Sequence, residues 1–140
     1  MQNKNPNPNK QAMQERYMEF QAMQQQLNNI QKYNEELQAK VLEFHQAKES
    51  INQLKDVKKG TELLVPAAQG IFIKSALQDT EELIVNIGAN TAVGKTIPQV
   101  IELLDSQIKE IEMIQIQVDE SSVSITERLN QLLKEIKQLS

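Results

Sequence analysis

Ile97, Ile101, Leu104, Ile108, Ile111, Gln115, Val118, Ser122, Ile125, Leu129, Leu132, Ile136 and Leu139 follow one another at spacings of four and three without a break. A helix turning once every 3.6 residues keeps such positions on one face, so the run is the seam of a long coiled-coil helix that needs a partner. Eleven of the thirteen are aliphatic, which makes an unpartnered helix untenable in water. A matching seam lies at the other end of the chain, in Met13, Phe20, Met23, Leu27, Ile30, Asn34, Leu37, Val41, Phe44, Lys48 and Ile51. The Gln- and Asn-rich stretch before residue 38 therefore reads as the wet face of a helix, not as a disordered arm.

The other constraints are subtractive. With 140 residues, 39% hydrophobic content and 4% aromatic content, a broad globular core is not available. There is no Cys, which removes disulfides and thiolate metal sites and fits a reducing, cytoplasmic location. No apolar segment suggests secretion or membrane insertion. Net charge is −4, and its excess falls on residues 97–140, where eight acidic side chains face four basic ones. Phosphate recognition needs clustered cations, so a nucleic-acid partner is not expected.

Between the seams the period changes. Glu62 to Val65, Ile71 to Ala76, Leu83 to Ile87 and Thr91 to Lys95 read as strands, separated by Pro66 to Gly70, Gln78-Asp79-Thr80 and Gly88-Ala89-Asn90. The fold expected is α+β, mainly α: a long antiparallel two-helix coiled coil with two β-hairpins between the helices. The chain divides into a disordered tail (1–10), a first helix (11–59) ending at Lys58-Lys59-Gly60, hairpins (61–95), and a second helix (96–140) with Thr96 as N-cap and Pro98 in its first turn. At ~1.5 Å per residue both helices extend about 60 to 70 Å, so folded back they match end to end. The register that sets Ile51 near Ile97 to Ile101 sets Met13 and Phe20 near Leu132 to Leu139. In the alternative, each helix pairs with another chain. Four short strands with an apolar run such as Leu83 to Ile87 need covering, and other subunits are the expected cover.

Candidate chemistry is sparse. Gly88 to Thr96 imitates a phosphate-binding loop ahead of a helix, which would make the chain a nucleotide-driven switch. However, five residues separate Gly88 from Gly94 where that motif requires four, so a hairpin turn needing positive φ at Gly88 and Asn90 is expected instead. His45 stands alone on an outward helix shoulder, and paired carboxylates such as Glu35-Glu36 point apart. No catalytic residue, metal site or cofactor is expected, and the chain is not read as an enzyme. Asn34, Lys48, Gln115 and Ser122 interrupt the seams and are read as setting register. Apolar residues off the seam are left without packing partners: Met113, Ile116 and Val123 share an outward face of the second helix, while Tyr17, Met18 and Leu133 lie near the far end. Met13, Met18 and Met23 with Tyr17 and Phe20 form a flexible Met-rich patch, either a fraying end or a binding surface.

Thr61-Glu62-Leu63-Leu64-Val65-Pro66, Ile71-Phe72-Ile73-Lys74, Glu82 to Gly88 and Lys95-Thr96, placed between two such helices, closely resemble the α class of the prefoldin family. The resemblance covers residues 12 to 140, and the paired hairpins separate this class from the single-hairpin β class. Gly94 is a departure, since the family often carries Glu there. What the resemblance implies is an archaeal-type subunit of a hexamer of two α and four β chains, whose hairpins form a double β-barrel from which coiled coils hang. The oligomer interface would use Leu64, Val65, Ile71, Phe72, Ile73, Leu83, Val85 and Ile87. Such a chaperone holds unfolded or nascent polypeptides at its coiled-coil tips without ATP and passes them to a group II chaperonin. Met13, Tyr17, Phe20, Met23, Leu132, Leu133, Ile136 and Leu139 are the candidate client-binding residues. The runner-up is a structural coiled-coil tether that the hairpins merely oligomerise.

Overall fold

A computed structural model describes residues 8–140. In chain order it contains α1 (Pro8–Gln53), a 3-10 turn (Leu54–Asp56), β1 (Glu62–Ala68), β2 (Ile71–Ala76), β3 (Leu83–Gly88), β4 (Thr91–Lys95) and α2 (Ile97–Leu139). The chain divides into two compact units, one formed by residues up to Ala39 with Ile111–Ser140 and the other by Lys40–Glu110.

In the first unit the two helices run antiparallel, since Arg16 meets Glu135 while Glu19, further along α1, meets Arg128, earlier on α2. Every seam position of this unit is buried or half-buried. Leu37, Ile111, Leu129 and Leu132 are its buried hydrophobics. The seam pattern thus specified which side chains leave water, by the knobs-into-holes geometry that a heptad enforces.

The helix boundaries moved. Residues 8–10, which the expected tail took in, are already helical in α1. Residues 1–7 of the expected tail lie outside the described residues. At its other end α1 stops at Gln53, six residues before Lys59, and tightens into the 3-10 turn before Val57 becomes extended. Gly60, expected as the C′ residue of α1, instead uses its φ of +86° in a turn at the foot of the first hairpin. There its N–H donates to the Leu77 carbonyl at 2.7 Å, and Thr61 returns to the Lys58 carbonyl through both its N–H and its hydroxyl.

Within the second unit each hairpin forms its own antiparallel two-stranded sheet. β1 is longer than expected: Pro66 lies opposite Phe72 inside the strand, followed by a bulge before Ala68. In a two-stranded sheet every strand is an edge, so a proline that cannot donate costs no ladder bond on its open side. The second hairpin turns on Ala89 and Asn90, at φ +49° and +59°, with Gly88 at +106°. Two consecutive positive values are what a tight two-residue hairpin turn requires. Asn86 Oδ1 accepts the Gly88 N–H at 2.9 Å and braces the bulge there.

Helix α2 opens with a reciprocal cap. The Gln99 N–H donates to Thr96 Oγ1 (3.3 Å) and the Thr96 N–H donates to Gln99 Oε1 (3.0 Å). This Thr-x-x-Gln box satisfies two donors that a helix start leaves free. Ile97, Val100 and Ile108 are buried in this unit. Val100 lies off the seam, so the heptad pattern did not foresee it.

Candidate functional site

With no catalytic constellation expected, the functional question is where apolar surface remains uncovered. Two places stand out, and they are built differently.

The first is the hairpin pair. Alternation along β1 and β2 puts Leu63, Val65 and Ile73 on one face and Leu64, Pro66 and Phe72 on the other, as the pairs Val65 with Ile73 and Pro66 with Phe72 fix. Leu64, Val65, Ile71, Phe72 and Ile73 are all exposed, and so is Ile87 on β3. Leu83 and Val85 are half-covered. Ile84, not among the expected interface residues, is the most open of all at 72%. Its cross-strand partner is Gly94, over which the Glu82 side chain lies in the space a Cβ would take. A sheet apolar on both faces has no solvent side, so one covering layer cannot satisfy it.

The second is the end of the first unit where Arg16 meets Glu135. Here the eight expected binding residues separate into three groups. Leu132 is fully buried at 0% exposure, so it serves the helix pair and offers nothing to a ligand unless the pair opens. Met13, Phe20, Met23, Ile136 and Leu139 are half-buried. Tyr17 (54%) and Leu133 (47%) are open, and Met18 (70%) is more open still. The seam accounts for this division, because Leu132 is a knob and its neighbour Leu133 points away from the partner helix.

Beside these residues lies an ion-pair cluster that sequence reasoning missed. Arg128 donates to both Glu19 carboxylate oxygens at 2.9 and 3.0 Å. Arg16 Nε reaches Glu135 Oε2 at 2.9 Å, and Arg128 Nη1 lies 3.8 Å from Glu135 Oε1. The bidentate hydrogen bond from Arg128 holds the Glu19 carboxyl below its ordinary pKa, and Glu19 in turn raises Arg128. A signal existed: Arg16 continues the three-four spacing between Met13 and Phe20, so a cation stands at a seam position. In the other unit Lys48, another cation in the seam, meets Asp105 at 2.6 Å. That contact supplies a physical basis for register, since a slip of one turn would strand both charges.

The resemblance to a phosphate-binding loop does not survive the geometry. Gly94 and Lys95 are extended in β4, opposite Ile84 and Leu83, and make no wrapped cradle of N–H groups. Among the described residues no group of three or more His, Cys, Asp or Glu is placed to hold a metal ion. No helix there is long and apolar enough to cross a membrane.

Comparisons with known proteins agree with this architecture. The family described as Prefoldin subunit matches residues 23–140. Prefoldin subunit alpha of Nitrosopumilus maritimus is 32% identical over 98 residues, covering 69% of this chain and 68% of that protein. Prefoldin subunit alpha of Methanopyrus kandleri is 33% identical over 76 residues, or 54% of this chain and 48% of that protein. Prefoldin subunit alpha 1 of Thermococcus kodakarensis is 40% identical over 68 residues, or 49% and 47%. The chain therefore spans about half the length of the last two. Among solved structures, a filamentous PFD from Methanocaldococcus jannaschii superposes with a TM-score of 0.74 over 81% of this chain and 94% of its own, at 15% identity, a likeness of fold. Two seamed helices around two hairpins, a family match across most of the length and relatives that share the alpha-subunit name together decide the assignment: the chain belongs to the prefoldin family, in its archaeal alpha-type branch.

Proposed function

We propose that this chain is a subunit of an ATP-independent holdase, working in the cytoplasm. The hairpins join it to β-type subunits in a hexamer of two α and four β chains, and the end of the coiled coil captures unfolded or nascent polypeptides for delivery to a group II chaperonin. One observation carries the reading: the seam closes on itself within the chain, yet Tyr17, Met18 and Leu133 stay open beside it. The alpha-subunit name shared by the relatives supports it.

The physics suits capture and release without nucleotide. Full burial of one apolar side chain contributes about 1.5 to 3 kcal/mol, so a single end with three open residues binds a client weakly. Several ends held on one body act together and gain avidity by orders of magnitude, while each contact still opens on its own. A competing receptor can then strip the contacts one by one.

The test is suppression of aggregation of a chemically unfolded protein, followed by light scattering. Tyr17→Ser, Met18→Ser and Leu133→Ser together replace only exposed side chains, so the helix pair should stay intact by circular dichroism while protection is lost. Full protection by the triple variant would reject capture at this end. A structural tether predicts no protection even by the unaltered chain with its partner subunits.

A further inference from the structure

We infer that the back of α2, from Met113 to Glu127, is a docking surface for a basic amphipathic helix of a partner protein. Met113, Ile116, Glu120, Val123 and Glu127 are spaced three, four, three and four apart, and each stands two residues before a seam position. At 100° per residue that puts them about 200° around the helix from the seam, on the side α1 does not occupy. The three apolar members each expose more than half their surface. A shallow groove lined by Ile116, Asp119, Glu120, Val123, Ser124 and Glu127 runs along this face.

The spacing is what distinguishes this stripe from scattered surface apolar residues. A heptad repeat on an outer face is a second seam, and a second seam accepts a helix. Its length, about 22 Å at 1.5 Å per residue, matches a partner helix of about four turns.

Charge decides which helix. Glu112, Asp119, Glu120 and Glu127 lie in or beside the stripe, with no Lys or Arg between residues 110 and 127. None of the four makes an ion pair among the described residues. A second copy of this chain docking antiparallel through the same stripe would set Glu120 against Glu120, a like-charge contact that opposes self-pairing. Lys or Arg at the partner positions facing Glu120 and Glu127, with aliphatic residues facing Met113, Ile116 and Val123, would satisfy both components.

Two fluorescein-labelled synthetic helices provide the test, each with Leu at its seam positions and either Lys or Glu at the positions facing 120 and 127. Anisotropy titrations with the full 140-residue chain should show the Lys helix binding about tenfold more tightly than the Glu helix, with the preference fading as salt rises. Ile116→Gln with Val123→Gln should weaken the Lys helix about tenfold while leaving helix content and client protection unchanged. Glu120→Lys with Glu127→Lys should invert the preference. Equal affinity for the two helices, binding insensitive to residues 116 and 123, or self-association lost in Val123→Gln would each overturn the inference. Loss of client protection together with peptide binding would also overturn it, by assigning the stripe to client capture.

Discussion

The hairpins and the helix pair of the first unit use the same kinds of side chain and end in opposite states. In the helix pair the aliphatic seam is covered from within the chain, to the point that Leu132 has no exposed surface. In the hairpins Leu64, Ile71, Phe72, Ile73 and Ile84 stay open although the strands are fully paired. A heptad has one apolar face and needs one partner helix, which the same chain supplies. The first hairpin, with apolar residues on both faces, needs two covering layers and the chain supplies neither, while the second has one face half-covered at Leu83 and Val85 and leaves Ile84 on the other face open. The contrast separates a part whose stability is intramolecular from a part that asks for other subunits.

The strongest way to break that contrast is to charge the sheet. Phe72→Asp with Ile73→Asp puts a carboxylate on each face of the first hairpin; light scattering after size exclusion should show the assembly with β-type subunits falling to free chains, with helix content retained. An unchanged assembly mass would remove the hairpins as the interface. Next in size is Leu132→Ala. Truncation of a fully buried leucine should cost about 2 to 5 kcal/mol in denaturant unfolding of the helix pair, whereas Leu64→Ala on the free chain should cost well under that.

The smallest effect concerns the ion-pair cluster and sets a limit on the helix pair itself. Because Arg128 holds the Glu19 pKa below its unfolded value, the contribution of this pair is complete above the ordinary glutamate range. It is lost as pH falls through the lowered folded value. Amide exchange at residues 12 to 23 should therefore quicken in acid relative to Glu19→Gln, in which that extra pH dependence should be absent. Both groups are partly exposed to water, so high salt should shrink the difference.

Much of this was legible beforehand for a specific reason. Ile71–Ala76, Thr91–Lys95 and the start of α2 were readable because turn residues and a capping threonine act within a few residues of themselves. The extension of β1 through Pro66 was not, since tolerance of a proline depends on whether a neighbouring strand needs its N–H. Arg128 with Glu19 was hidden too. Residues 109 positions apart in sequence meet only once the register of two helices is fixed.

The division of the candidate binding residues teaches the same lesson at one turn of helix. Leu132 and Leu133 are identical in composition and adjacent in sequence; the heptad sets one on the seam and the other off it, and the partner helix makes the first core and leaves the second at the surface. By itself the sequence determined that two seamed helices flank two hairpins, because periodicity is a local property of the chain. Tertiary structure alone decided that Val100, off the seam, leaves water and which charges lock the helices, because such burial and ion pairing belong to residues that meet only after the chain has folded back on itself.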